Sequence, residues 1–266
     1  MDVSLFRRPF AVALIALSLL SSCGDRYNLA NESGRKARID DANFHLSRGE
    51  CGAADEAINP LYASPYVTSE VRILKASALA CFAKFNLLAF IANMVGASNY
   101  FEALAKALDN ISGDAARQHL FNAVDILTQN GTVMSAGSRA REENSYMVFL
   151  QFGVISAIIR NYGSPNSTGA QGTNLVYSTA SNPANEMSDV DACALAAAFS
   201  HISDSFVGSD ITDSSSKSAI GAFESVCTSA GLSSCSALSR DRSQCDGTNQ
   251  NSVNAQSVVT SVNTAW

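Results

Sequence analysis

Histidine is the side chain that most often serves as a metal ligand or as a general base near neutral pH, and this chain has three. His45, His119 and His201 fall in three different predicted helices, and none has a second histidine or a carboxylate at ligand spacing beyond chance. The zinc-protease pattern H-E-x-x-H is absent from the sequence. We therefore expect the histidines to lie on helix surfaces, and we predict no metal site.

Motifs for nucleophilic catalysis and phosphate binding are missing as well. The sequence contains neither a G-x-S-x-G elbow nor a G-x-x-x-x-G-K loop. The pattern S-x-x-K occurs at residues 33–36 and 214–217, but the partner motifs of serine acyl-enzymes do not accompany it. The aspartates between residues 189 and 213 lack the spacing of a calcium loop, so we assign them to helix capping and solvation. We predict no catalytic residue, no cofactor and no enzymatic activity.

The first cysteine lies in a different context from the others. Two arginines in residues 1–8 precede an almost wholly apolar run over residues 9–20, and two serines follow it. This order is that of a secretory signal peptide, and the apolar run is short for a membrane-spanning helix, which needs about 20 residues. Residues 20–23, which read LSSC, resemble the lipobox of bacterial lipoproteins. An ordinary secretory signal with a chance cysteine is the alternative.

The lipobox resemblance implies that residues 1–22 are removed and that Cys23 becomes the first residue of the mature chain. In that family the cysteine sulfur carries a diacylglyceryl group and the new amino group is acylated, for example with palmitate, which anchors the protein to a bilayer. Gly24 rather than an aspartate follows Cys23. By the sorting rule of the family, this implies the outer membrane, with the body facing the periplasm.

Six of the seven cysteines remain once Cys23 is set aside. An even number is expected to form disulfides in an oxidising compartment. Residues equally distant from the turn of a helical hairpin face each other, which predicts the pairs Cys51–Cys81 and Cys193–Cys227. The two remaining cysteines, Cys235 and Cys245, are then predicted to pair with each other. The alternative is that some are buried free thiols, Cys193 above all. Metal ligation is disfavoured because no C-x-x-C occurs.

Net charge narrows the choice of partners. The chain has 18 basic and 24 acidic residues, a formal net charge of −6. Because phosphate binding needs a basic surface, this balance argues against nucleic acid as a partner and against a polybasic attachment to anionic lipid. The predicted membrane contact is therefore the lipid on Cys23.

The sequence that follows the signal peptide and tether predicts an all-α fold. From residue 37 onward, apolar residues recur at three- and four-residue intervals, and the alternation typical of strands is absent. The predicted helical segments are 39–47, 53–62, 68–82 with Thr68 as its N-cap, 85–95, 100–108, 114–129, 145–162, 189–206 and 214–229, with a short last helix near the C-terminus. We predict a signal peptide (1–22), a lipidated tether (23–36) and one helical domain (37–266), built of stacked helical hairpins as an array or an irregular bundle and stapled by disulfides.

The first three predicted helices resemble a tetratricopeptide-type repeat. Gly49 ends a first helix, Ala57 and Leu61 stand as the small and large packing residues of DEAINPLY, and Pro65 precedes a helix with further small residues. The connection at residues 50–54 is about two residues longer than usual, and no clear copy follows at about 34 residues. The resemblance implies stacked helix pairs whose small residues allow close backbone approach.

Two further segments stand out. Residues 145–162 are the most apolar part of the mature chain, and we predict a central helix wrapped by others rather than a second membrane anchor. Residues 163–188 form the longest irregular stretch, a polar loop. Such loops are often binding elements, so we expect it to be the least stable part and the first candidate for a partner site, with a plain surface loop as the alternative.

These observations favour a membrane-anchored, periplasm-facing lipoprotein that acts as a non-catalytic helical scaffold or adaptor for an envelope protein or peptide. The alternative is a lipoprotein that binds a small ligand, such as a transporter accessory. The sequence assigns Cys23 to lipidation and six cysteines to disulfides, and no residue type or spacing marks a ligand-binding site.

Overall fold

In the computed structural model, residues 27–85, 99–107, 113–128, 135–178, 186–209, 211 and 214–266 are described. Within these residues the chain forms nine α-helices and no β-strand, which confirms the all-α prediction. The helices are α1 (Glu32–Ser47), α2 (Cys51–Tyr62), α3 (Ser69–Phe82), α4 (Tyr100–Ala107), α5 (Gly113–Leu127), α6 (Arg141–Gly163), α7 (Asp189–Val207), α8 (Ser214–Ser229) and α9 (Gln250–Ala265). Short 3₁₀ turns lie at Ala136–Ser138, Cys235–Ala237 and Arg242–Gln244.

Capping residues set several of the helix boundaries. The Thr68 hydroxyl accepts a hydrogen bond from the Val71 amide at 3.4 Å, which confirms the predicted N-cap of α3. Asn31 caps α1 in the same way, since its side-chain oxygen accepts from the Gly34 amide. Because of this cap, α1 begins within the segment predicted as a tether. The predicted helix over residues 85–95 lies almost entirely outside the described residues.

Residues 27–67 form one compact unit, built on α1 and α2. Ala42 of α1 is buried, as are Ala57 and Leu61 of α2, the residues that carry the tetratricopeptide resemblance. The segment before α1 lies close against it, because a Cβ atom on Gly34 would stand 2.1 Å from the Asn28 carbonyl oxygen. Only glycine permits this approach. The family assignment itself stays a prediction.

Residues 68–266 form a second compact unit, whereas the sequence predicts one helical domain from residue 37 onward. The predicted central helix is α6, which packs against α3, α4, α5 and α7 and is buried along most of its length. α7 is buried on nearly all sides too and packs against α6, α8 and α9. Small residues of α7, an alanine run at positions 196–198, allow these neighbours to approach closely.

The core of this second unit includes four phenylalanine rings from four helices. Phe223 of α8 lies 5.0 Å from Phe152 of α6 and 5.4 Å from Phe101 of α4, between ring centroids. Phe199 of α7 completes the group at 5.7 Å from Phe223. Aromatic pairs at these separations add about 0.5–1.5 kcal/mol beyond the area that they bury. The group therefore ties α8 to the central helices.

No helix within the described ranges combines the length and the apolar character needed to cross a membrane.

Candidate functional site

Two of the three predicted disulfide pairings, Cys193–Cys227 and Cys235–Cys245, are wrong. The structure joins Cys193 to Cys245 and Cys227 to Cys235, with Cα–Cα distances of 5.8 Å and 5.2 Å. Cys193 is therefore neither bonded to Cys227 nor a free thiol. The prediction placed Cys193 and Cys227 opposite each other across a simple α7–α8 hairpin.

The path of the chain after α8 explains the difference. Gly231, at a φ of 82°, turns the chain so that Cys235 returns to Cys227 near the end of α8. The following residues then run back along α7. The Ser200 hydroxyl donates to the Leu238 carbonyl, and Cys245 meets Cys193 nearer the start of α7. An irregular segment thus brings together cysteines that helix periodicity does not relate.

Cys51 and Cys81 are disulfide-bonded as well, and their predicted bond to each other stays a prediction. The predicted lipidation residue, Cys23, lies outside the described residues, as do the signal peptide and the lipobox. Their assignment rests on the sequence.

The structure places the three histidines on three different helices, α1, α5 and α7, and each has different surroundings. His45 Nδ1 lies 2.6 Å from a Glu50 side-chain oxygen at the turn between α1 and α2, and this hydrogen bond lowers the pKa of Glu50. His119 stacks on Phe82 at 5.2 Å between ring centroids. His201 is 2% exposed, so the prediction of a surface histidine is wrong there.

His201 is held neutral by its surroundings. Burial, together with the positive charge of Arg139, lowers its pKa to about 3. Its Nε2 lies 3.1 Å from the Arg240 carbonyl oxygen, which fixes that nitrogen as the donor. It borders a cavity of about 20 Å³, which has room for nothing larger than a water molecule. His201 is therefore a structural residue.

A buried polar network surrounds the start of α6. Glu143, 1% exposed, pairs with Arg72 at 2.5 Å and accepts the Ala140 amide at 3.0 Å. Arg139 donates to Asn144 at 2.9 Å and to Ser205 at 2.6 Å.

Asp204 extends this network to the 3₁₀ turn, because it accepts the Ala136 amide at 2.8 Å and pairs with Arg240 at 3.1 Å. Each of these charged side chains has a partner. They therefore stabilise the fold.

At the other end of α6, residues 164–178 of the long polar loop are ordered and docked on α9. The Leu175 amide donates to the Asn263 side-chain oxygen at 2.8 Å, and the Asn263 amide group donates to the Leu175 carbonyl at 2.6 Å. Gln171 donates to the same Asn263 oxygen at 2.6 Å. One asparagine side chain thus pairs with an extended backbone as a neighbouring strand would.

The only tryptophan of the chain supports the same loop. The Trp266 indole N–H donates to the Gly169 carbonyl at 2.8 Å, and its ring packs so closely on Gly163 that a Cβ there would stand 2.3 Å away. Asn99 donates to the Trp266 carbonyl at 3.1 Å and so holds the C-terminus in place. The described part of the loop is therefore a fixed element rather than a loose connection.

This docked loop, the end of α6 and Glu186 border an open cleft of about 520 Å³. Its lining is formed by Asn161, Tyr162, Ser164, Thr173, Asn174, Val176 and Glu186. Amide, hydroxyl and carboxylate groups predominate, with one aromatic ring and one exposed valine. The cleft is therefore polar, and we take it as the candidate functional site.

Several polar groups of the cleft are not used by the fold. Within the described part of the chain, the side chains of Asn161, Asn174 and Glu186 make no hydrogen bond. Asn161 and Asn174 are exposed, and Glu186 is half-buried. By contrast, Asn166, Gln171 and Asn263 all hold the loop in place. The free amides and the carboxylate can therefore donate to and accept from a ligand.

A second group of charged residues fixes the ring of Tyr162 at the cleft wall. The Tyr162 hydroxyl donates to Asp191 at 2.6 Å, and Asp191 pairs with Arg117 at 3.2 Å. Burial raises the pKa of Tyr162, and the hydrogen bond to Asp191 raises it further. Asp191 is itself buried, so its assignment to solvation is wrong. The ring of Tyr162 is therefore held in place, and its hydroxyl stays protonated.

The described residues that line the cleft offer hydrogen-bonding groups. In the described ranges, no three or more His, Cys, Asp or Glu side chains are arranged to hold a metal ion. None of the three histidines lines the cleft. What the arrangement can do is bind a polar molecule in a fixed orientation.

Sequence reasoning missed the individual cleft residues. Asn161 and Asn174 lie at positions with no periodic or motif signal, and Glu186 is a lone carboxylate in a polar stretch. The length of the irregular segment was the one available signal, and it indicated the part of the chain in which most of the cleft residues lie.

Comparison with known proteins finds no matching family model, no matching curated protein and no matching solved structure.

Proposed function

We propose that this chain is a lipid-anchored envelope protein that acts as a non-catalytic adaptor and holds an extended peptide segment of a partner in the cleft beside α6. The observation that carries the proposal is a set of polar side chains, Asn161, Asn174 and Glu186, that have no hydrogen-bond partner among the described residues and line a cleft of about 520 Å³. The two amides are exposed and can donate to and accept from a ligand, and the carboxylate of Glu186 is half-buried, which favours a ligand that satisfies it.

The protein itself contains an example of the recognition that we propose. Asn263 pairs with both the N–H and the C=O of Leu175, in an extended stretch of the loop. Asn161 and Asn174 carry the same carboxamide group, and a peptide backbone in the cleft would present the same donor and acceptor. The side chain of Tyr162 would supply a flat apolar surface beside it.

Glu186 adds a charge preference to the site. It is half-buried, and no cation pairs with it within the described part of the chain. A lysine, an arginine or a free amino terminus of a peptide would complement this carboxylate. The proposal therefore favours a peptide with one positive charge.

The envelope location is supported by two features. Six cysteines of the body are disulfide-bonded, which is typical of proteins in oxidising compartments. The LSSC sequence at residues 20–23 resembles a lipobox. Attachment through Cys23 at the outer membrane, with the body facing the periplasm, follows from that resemblance and belongs to the same proposal.

Selection from a random peptide display library against the purified disulfide-bonded protein tests the binding site. We expect enriched peptides with a basic residue, and we expect their affinity to fall about tenfold in the double variant Asn161→Ala/Asn174→Ala, equal to about 1.4 kcal/mol. Glu186→Gln should remove the preference for the basic residue. Asn251→Ala, a change of the same chemistry on α9, is the matched control and should leave affinity unchanged.

Enriched peptides that bind the double variant as tightly as the native protein would show that the cleft is not the site. Failure to enrich any peptide would count against peptide binding and favour the second candidate, a small polar ligand. The volume of the cleft supports that candidate, because small-molecule sites span about 300–1,000 Å³. A polar compound that raises the melting temperature of the native protein, but not of the double variant, would establish it.

A further inference from the structure

We propose that one face of the N-terminal unit, formed by Tyr27, Tyr66 and Val67 with Arg35 and Arg38, lies against the headgroup region of the bilayer that holds the lipid anchor. This inference rests on the proposed acylation of Cys23. It adds a protein surface to that anchor and assigns it a partner, the phospholipid headgroup region.

The first step is the exposure of this face. Tyr27 is 39% exposed and Tyr66 is 42% exposed, and Val67 beside it is exposed as well. Tyrosine is enriched where proteins meet the membrane interface, because its ring is apolar and its hydroxyl is polar. Two such rings and a valine on one small unit therefore match the chemistry of that region.

The second step is that the rings are held in position by arginine. The Arg35 guanidinium lies 4.5 Å from the centre of the Tyr66 ring, and the Arg38 guanidinium lies 5.0 Å from that of Tyr27. Arg35 and Arg38 are one helical turn apart on α1, so both rings lie on the same side of the unit.

Hydrogen bonds add to this arrangement, because Arg35 donates to the Leu29 carbonyl at 2.9 Å and Tyr27 donates to Asp41 at 3.3 Å. Arg38 donates to the Ala57 carbonyl at 3.4 Å and its Nε is buried, whereas Arg35 keeps further N–H groups that can donate to lipid phosphate. The face thus combines fixed aromatic rings with phosphate-binding groups.

The third step is the short distance along the chain to the acylated residue. Tyr27 follows Cys23 by four residues, which span at most about 14 Å even when fully extended. A lipid on Cys23 would therefore keep Tyr27 within that distance of the bilayer. Because the chain as a whole carries a net charge of −6, the contact depends on this tether and on local groups rather than on general charge attraction.

The same unit offers an internal control. Phe44, 53% exposed, lies under the Arg48 guanidinium at 5.2 Å, so it repeats the pairing of an aromatic ring with arginine. Phe44 is nine residues beyond Arg35 on the same helix, which turns its side chain by about half a revolution to the other side. It should therefore face away from the bilayer.

The experiment uses the full chain, expressed with its own leader, purified and reconstituted into vesicles of phosphatidylethanolamine and phosphatidylglycerol. Mass spectrometry of the N-terminal peptide first reports whether Cys23 is acylated. Tyr66→Trp and Phe44→Trp are then compared in vesicles that contain brominated lipids, which quench nearby indole fluorescence. The native protein, with Trp266 alone, supplies the baseline.

We expect several-fold stronger quenching at position 66 than at position 44. Acylated protein with equal quenching at both positions would overturn the membrane-facing surface and leave the anchor intact. Unacylated Cys23 would overturn the proposed anchor, and the surface with it.

A second measurement needs no substitution. Amide hydrogen exchange of the acylated native protein is compared between vesicles and a solution of detergent micelles. Residues 27–31 and 64–67 should exchange several-fold more slowly in vesicles, and residues 43–49 should not change. If residues 27–31 and 64–67 exchanged at the same rate in vesicles and in micelles, the proposal would be contradicted. This result would hold even if a tryptophan variant failed to fold.

Discussion

The two ends of α6 use polar side chains in opposite ways. At its start, Glu143 and Asn144 are buried, and each is bound to named partners in a network that includes Arg72 and Arg139. At its end, Asn161 is exposed to a cleft and makes no side-chain hydrogen bond within the described residues. The same kinds of side chain thus serve the fold at one end and remain available at the other.

This difference separates stability from binding within one helix. A buried polar group without a partner costs about 1–3 kcal/mol, so the network at the start of α6 has to be complete. An exposed amide is already solvated and costs little when unpaired. Among the described residues, the fold makes no use of the amide and carboxylate groups in the cleft. These groups therefore remain available to bind a ligand.

The largest expected effect is at the start of α6. Glu143→Ala removes the carboxylate partner of Arg72 and the acceptor of the Ala140 amide, and leaves a partly buried guanidinium without a counter-charge. Breaking a buried ion pair in this way costs roughly 3–5 kcal/mol. Guanidinium denaturation of the native protein and the variant, both with disulfides intact, measures the loss. A loss under about 1 kcal/mol, the usual range of exposed pairs, would mean that this pair is not a structural one.

The next effect depends on pH and concerns His201. Its pKa is about 3 in the folded protein and near 6.5 when unfolded, so the unfolded state binds the proton first as the pH falls. Its contribution to stability is therefore intact above about pH 6.5 and is lost by about 1.4 kcal/mol per pH unit below that value. The charged groups nearest to it are Arg139, Arg240 and Asp204.

His201→Gln isolates this contribution, because glutamine can still donate to the Arg240 carbonyl but does not titrate. The difference in unfolding free energy between the native protein and this variant should shrink, and then reverse, between pH 7 and pH 4. Denaturant titrations at several pH values measure it. Parallel curves for the two proteins would show that His201 is not held neutral.

The fold class follows from the sequence because helix periodicity is a local signal. Apolar residues at three- and four-residue intervals predicted α8 with the bounds Ser214–Ser229 that the structure shows. The cap at Thr68 was likewise visible as a local pattern. The burial of Glu143 has no such local signal, because its partner Arg72 is remote in sequence.

The disulfide partners and the cleft could not be predicted for the same reason. Cys245 reaches Cys193 only because residues 238–245 run along α7, and an irregular path has no period to detect. Asn161 and Asn174 come together only after Asn263 has docked the loop on α9. Both features depend on tertiary contacts between segments far apart in the chain.

A smaller effect is expected where α9 supports the cleft. Asn263→Ala leaves the N–H and C=O of Leu175 without their partner, at a cost of about 1–3 kcal/mol. Hydrogen exchange should accelerate at residues 171–176 more than in α6, since the loop loses its attachment first. Asn251→Ala on the same helix is the control and should leave exchange unchanged. Equal protection in the native protein and in Asn263→Ala would contradict the docking role.

The smallest effect on stability is expected in the cleft itself, and it tests the comparison most directly. Asn161→Ala/Asn174→Ala should change the unfolding free energy by no more than about 0.5 kcal/mol, since neither side chain has a hydrogen-bond partner in the described ranges of the chain. The same variant should bind a selected peptide about tenfold more weakly than the native protein. Denaturation and titration calorimetry on one preparation measure both quantities. Destabilisation as large as that of Asn263→Ala would place these asparagines with the structural residues, and the two ends of α6 would then serve the same purpose.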